Sequence, residues 1–124
     1  MTRQGTRNAF AHDATVTMAP GGDADALGAA ITVALCGHWE HDPPCPLAPH
    51  HTRAERTGDL VRLRTLFAVE PELENDARNR IGTALRSSRL VGPRGRTTSW
   101  QLETSEPGEV LEQESDHLQR LIAS

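Results

Sequence analysis

An α+β fold is predicted by three features of this 124-residue chain. Apolar and polar residues alternate in ATVTM (14–18), DLVRLRTLFAVE (59–70) and TTSWQLET (97–104), the period of half-buried strands. Other segments carry apolar residues at spacings of three and four, the stripe of an amphipathic helix. Proline and glycine clusters near residues 20, 42–49 and 92–95 separate the segments.

Residues 1–12 are polar and unpatterned and read as a disordered lead-in, which leaves residues 13–124 as a single α+β domain. The first strand is Ala14–Met18, with Val16 and Met18 on one face and Thr15 and Thr17 on the other. Pro20-Gly21-Gly22 ends it. Asp23 or Asp25 can then cap a helix whose stripe is Leu27, Ile31, Leu35 and Trp39, flanked by Ala30 and Ala34. The β-branched run Ile31-Thr32-Val33 leaves a strand as the alternative. Gly37 is the expected stop, because glycine adopts the left-handed conformation in which helices often end.

Residues 42–49, DPPCPLAP, hold four prolines, which remove amide donors and fix φ, so a stiff extended segment follows. A hairpin comes next: HHTRAER, a turn at Thr57-Gly58-Asp59, and the strongly patterned second arm. There Val61, Leu63, Thr65, Phe67 and Val69 face one way and Arg62 and Arg64 the other. Pro71 suits a helix start, with Glu72, Glu74 and Asp76 near its positive end and Leu73, Ala77, Ile81, Ala84 and Leu85 as its stripe. A loop at 92–96 leads to a strand with Trp100 and Leu102 inward, and Pro107 opens a last helix striped by Leu111, Leu118, Leu121 and Ile122.

The first six elements, strand-helix-strand-strand-helix-strand, are the βαββαβ order of a ferredoxin-like split βαβ sandwich, here with an extra C-terminal helix. Its open sheet face should carry Thr15, Thr17, Arg62, Arg64, Gln101 and Glu103, and the last helix has that face, an edge or a dimer contact as its sites. The fold hosts unrelated functions and names none.

Composition narrows the field. No stretch is long and apolar enough to span a bilayer, and the start lacks the apolar run of a secretory signal, so the expected location is cytoplasmic. Reduced thiols are expected there for the two cysteines. A net charge of −4 argues against a general nucleic-acid binder, and the sheet offers no stacking aromatics for RNA. The charge is uneven. Residues 53–96 hold ten Arg against six acids, whereas residues 101–124 hold six acids against Arg120 alone. Solvated faces account for this; the sharper reading lays an acidic C-terminal helix on a basic sheet face or docks an anionic partner there.

Cys36 to His51, CGHWEHDPPCPLAPHH, holds both cysteines and four of the six histidines. Soft and borderline metals prefer these side chains. Cys36, His38, His41 and Cys45 are the expected ligands, with His50 and His51 in reserve; strand alternation sends those two to opposite faces. Zn2+ is the expected ion, with copper or nickel next. Glu40 and Asp42 would orient imidazoles. The bland alternative makes Cys36 a small buried hydrophobe and the others surface decoration. The expected function is thus a small transition-metal-binding domain with a structural or regulatory role. The alternative is a metal-free protein-interaction domain, or homodimer, using its sheet face or acidic last helix. An enzyme, thiol- or metal-dependent, ranks third, since no CxxC or Gly-x-Ser-x-Gly motif is present.

Overall fold

The computed structural model describes residues 7–36, 48–91 and 97–123, Cys36 by its backbone alone. Among them, the alternating segments form one antiparallel sheet: β1 (Asn8–Met18), β2 (His50–Thr57), β3 (Leu60–Val69), β4 (Arg89–Val91) and β5 (Thr97–Gly108). The spatial order is β2-β3-β1-β5-β4. The helical segments give α1 (Asp25–Cys36), α2 (Glu74–Arg86) after a 3-10 turn at Pro71–Leu73, and α3 (Ser115–Ala123) after a 3-10 turn at Glu112–Glu114.

The two inner helices cover one sheet face. Leu27, Ile31 and Leu35 of α1 and Ala77, Ile81 and Leu85 of α2 pack on Val16, Met18, Leu63, Phe67, Val69 and Trp100. These are the stripes and alternations expected from the sequence, because a period of 3.6 and a period of 2 each segregate apolar groups to one side. The Trp100 indole N–H donates to the Leu85 carbonyl at 2.8 Å, so its polar edge is satisfied in the core.

The opposite face is half covered by α3. Leu118, Leu121 and Ile122 rest on Ala9 and Ala11 of β1 and Leu66 and Ala68 of β3. Three alanines make that part of the sheet flat enough for a helix to approach. The run Leu66-Phe67-Ala68-Val69 is apolar at every position, and all four residues are buried, as expected of a strand covered on both faces.

Four features differ from the sequence expectation. The four-stranded ferredoxin-like order is replaced by a five-stranded one, since β4 pairs with Thr97–Ser99 at the sheet edge. A three-residue strand is too short to show a period. β1 begins at Asn8, so residues 8–12 belong to the sheet and pair with 65–69. Ala, His and Asn mask the alternation there. β5 continues through Pro107, which lies opposite His12. β4 reaches only the start of β5, so one side of this later stretch is open, and a proline is tolerated where no ladder donor is required. The last helix therefore starts eight residues after Pro107, and Leu111, expected in its stripe, is exposed. Gly37, Trp39 and the loops at 37–47 and 92–96 lie outside the described residues.

Candidate functional site

A groove of about 440 Å3 lies between α1, α2 and β4. Ala30, Val33 and Ala34 of α1 form one wall, and Thr83 and Ala84 of α2 form the other. Leu90 of β4 closes one end. The origin is local: Ala30, Val33 and Ala34 flank the Leu27-Ile31-Leu35 stripe of α1, and α2 answers with Ala84. Two helices lined by small residues leave volume that larger side chains would fill. Arg80 and Arg89 stand at the rim. Arg80 is paired to Asp76 at 3.1 Å, one turn away. Arg89 is in none of the ion pairs formed among the described residues.

A second constellation lies at the other end of the inner face. His12 is 5% exposed. Its Nε2 is 2.8 Å from Ser105 Oγ, and its Nδ1 is 3.1 Å from Arg78 Nη1. A guanidinium only donates, so Nδ1 accepts and the proton of the neutral ring sits on Nε2. His12 therefore donates to Ser105 and does not take its proton, the reverse of the wiring that activates a serine nucleophile. Burial, then the charge of Arg78, lowers the His12 pKa from 6.5 to about 4, with Asp13 opposing. Arg78 also donates to the Ala11 carbonyl at 2.7 Å and to Glu74 at 2.8 Å, and its guanidinium lies over the Phe67 and Phe10 rings. The cluster ties α2 to β1 and β5.

Ser105 reaches this position through a bulge. Thr15 pairs with Thr104 and Val16 with Leu102, so β5 carries one extra residue at Glu103. Beyond it the odd residue Ser105, not an even one, shares a face with Ala14 and His12. Sequence reasoning missed this cluster because its members are 66 and 93 residues apart. The one local signal is His12 in phase with Ala14 and Val16.

On the α3 side, Arg64 is a fully used clamp. Its Nε and Nη2 meet the two Glu114 carboxylate oxygens, each at 2.8 Å, and Nη1 meets Asp13 at 3.0 Å. Nη2 also donates to the Glu109 carbonyl. Glu114 further accepts from the Leu111 amide at 2.9 Å. The hydrogen bond from Arg64 holds the Glu114 carboxyl down at about 2, against the effect of burial. Glu114 in turn raises the Arg64 pKa. The acidic C-terminal segment thus lies on a basic sheet position, and Arg64 is an internal tie, not a free surface cation.

The expected metal residues divide. His38, His41 and Cys45, with the side chain of Cys36, lie outside the described residues. His50 faces α1: its Nδ1 is 3.0 Å from the Ala48 carbonyl, and its Nε2 is 3.0 Å from Thr32 Oγ1. His51 points to the opposite face, with its ring centroid 4.8 Å from that of His117. Its pKa is lowered by burial, then by His117 and Arg53. Among the described residues, no group of three or more His, Cys, Asp or Glu could hold a metal ion. That finding overturns the transition-metal function expected from the sequence. The physical reason is strand alternation, which separates His50 from His51. The pair that does meet, His51 and His117, sits beside the cations Arg53 and Arg64.

Comparison with known protein families, with curated proteins and with solved structures finds no match. Among the described residues, no helix is long and apolar enough to cross a membrane.

Proposed function

We propose that this chain is a small-molecule-binding domain whose groove between α1, α2 and β4 takes an elongated apolar ligand with an anionic end. The observation that supports this reading is the pairing of a floor of small apolar side chains with a rim guanidinium, Arg89, that is in none of the ion pairs formed among the described residues. Its volume of about 440 Å3 falls within the roughly 300–1,000 Å3 range of small-ligand sites. Removing apolar surface from water supplies the binding free energy, and one charge at the end sets orientation. Medium-chain carboxylates have this chemistry.

The test is displacement of a dansylated fatty acid by decanoate, followed by fluorescence. Ala34→Phe fills the groove and should abolish binding. Arg89→Gln should weaken decanoate by about two- to fivefold, the value of one exposed charge contact, and leave decanol unchanged. Decanoate binding that survives Ala34→Phe unaltered would overturn the proposal.

A further inference from the structure

The two edges of the sheet are unlike. One edge is broken into the three residues of β4 and the later stretch of β5, which holds Pro107, whereas β2 presents eight residues without proline, glycine or a register shift. Among the described residues no strand pairs with the outer side of β2, and proteins ordinarily blunt such edges. We propose that β2 is a homodimer interface, pairing antiparallel with β2 of a second copy about Ala54, so that two five-stranded sheets become one.

The charge pattern selects this partner and this register. On β2, His51, Arg53 and Glu55 lie on the α3 face, since they oppose Leu66, Arg64 and Arg62 of β3. His50, Thr52, Ala54 and Arg56 lie on the helix face, opposite Phe67, Thr65, Leu63 and Val61. A twofold pairing that keeps the two faces continuous must match odd residues with odd ones. Centred on Arg53, it sets Arg53 against its own copy. Centred on Glu55, it sets Glu55 against its own copy. Centred on Ala54, it sets Arg53 opposite Glu55 twice, and both contacts are favourable cross-strand pairs.

In the monomer Glu55 already stands across from Arg62, but Arg53 does not face an acid across the ladder. Arg53 stands directly across the ladder from Arg64, a like-charge neighbour. Its own contact with Glu55 is long, 3.6 Å, and both side chains are more than 60% exposed. A second copy supplies Glu55 on the free side of Arg53. The resulting row, Arg64, Arg53, then Glu55 and Arg62 of the second copy, places an acid between cations. Arg56 does not obstruct the approach. It is bound to the turn after β1, donating to the Gly22 and Ala19 carbonyls at 2.8 and 2.7 Å. Ala54, at the dyad, is the smallest side chain on the strand and keeps the centre open.

The experiment is sedimentation equilibrium of the full chain in reductant, across a wide concentration range, at low and high salt. The wild type should dimerise, more weakly at high salt. Arg53→Glu and Glu55→Arg each bring two like-charge pairs into the interface and should each weaken self-association at least about tenfold. An equimolar mixture of these two variants restores complementarity at both pairs and should form a heterodimer. The double variant R53E/E55R should again self-associate. Both positions are exposed, so circular dichroism should show an unchanged fold. A wild type that stays monomeric at every concentration would overturn the proposal. So would an E55R variant that dimerises as tightly as wild type, or a mixture that does not associate.

Discussion

Acid should destabilise this protein through His12. The ring is locked neutral: Nδ1 accepts from Arg78 and Nε2 donates to Ser105. Protonating Nδ1 would remove that acceptor and bring a second positive charge against the guanidinium in a site only 5% exposed. The unfolded chain takes up the proton near pH 6.5, whereas the native state resists it to about 4. The full contribution is therefore present above pH 6.5 and is lost as the pH falls from 6.5 to about 4. At about 1.4 kcal/mol per unit, the loss is on the order of 3 kcal/mol, a large fraction of the roughly 5–15 kcal/mol that stabilises a domain. The control is His12→Gln. Its amide can donate to Ser105 and accept from Arg78, but it does not titrate. Urea unfolding of both proteins, followed by circular dichroism from pH 7 to pH 4, isolates the effect, because carboxylate titrations are common to both. Wild type should lose about 3 kcal/mol relative to the variant over this range. Stabilities that run parallel with pH would refute the neutral-ring wiring.

Four further outcomes are expected. Glu114→Gln leaves Arg64 with half its ion pairs and should reduce stability by about 2 kcal/mol in chemical denaturation. It should also remove the acid-induced loss that the wild type shows as pH falls from 4.5 toward 2, since that carboxylate's pKa is depressed only when folded. Leu118→Ala should cost about 3 kcal/mol by opening a cavity between α3 and the sheet, with faster amide exchange confined at first to α3. Ser88→Gly should raise stability by about 0.5–1 kcal/mol, because Ser88 holds a φ of 67° that glycine adopts freely; an unchanged melting temperature would count against strain there. Gly58→Ala should have the opposite sign and a similar size, since Gly58 has a φ of 61° at the β2–β3 turn.

The expectations that succeeded rest on local period. The stripe Leu27-Ile31-Leu35, the arm from Val61 to Val69 and the turn at Gly58 are repeats within a few residues, and apolar segregation needs no other information. Those that failed involve elements whose environment is set by distant chain. Pro107 is a reasonable helix start by local chemistry, yet β1 recruits it into a strand whose other side is open. Asn8 to His12 has weak strand character alone and is held by its five cross-strand pairs with Thr65 to Val69 of β3. The metal function read from the Cys/His cluster was a compositional signal; alternation sends His50 and His51 to opposite faces, as the sequence implied, and no metal-holding group forms among the described residues.

By itself, the sequence determined the class: α+β, one hairpin with its turn, two helices striped for one sheet face, and an acidic tail with a basic middle. Only the tertiary structure decided how those pieces meet. It added β4, laid α3 on the alanine half of the outer face, and joined Arg64 to Glu114 across 50 residues. It also placed Ser105 beside His12 through a one-residue bulge. The division has one physical cause. A helix or strand period arises from bonds between near neighbours, so it is written into each segment. A groove, a clamp or an open edge exists only after separate segments have packed, and its position depends on the volumes and charges of all of them together.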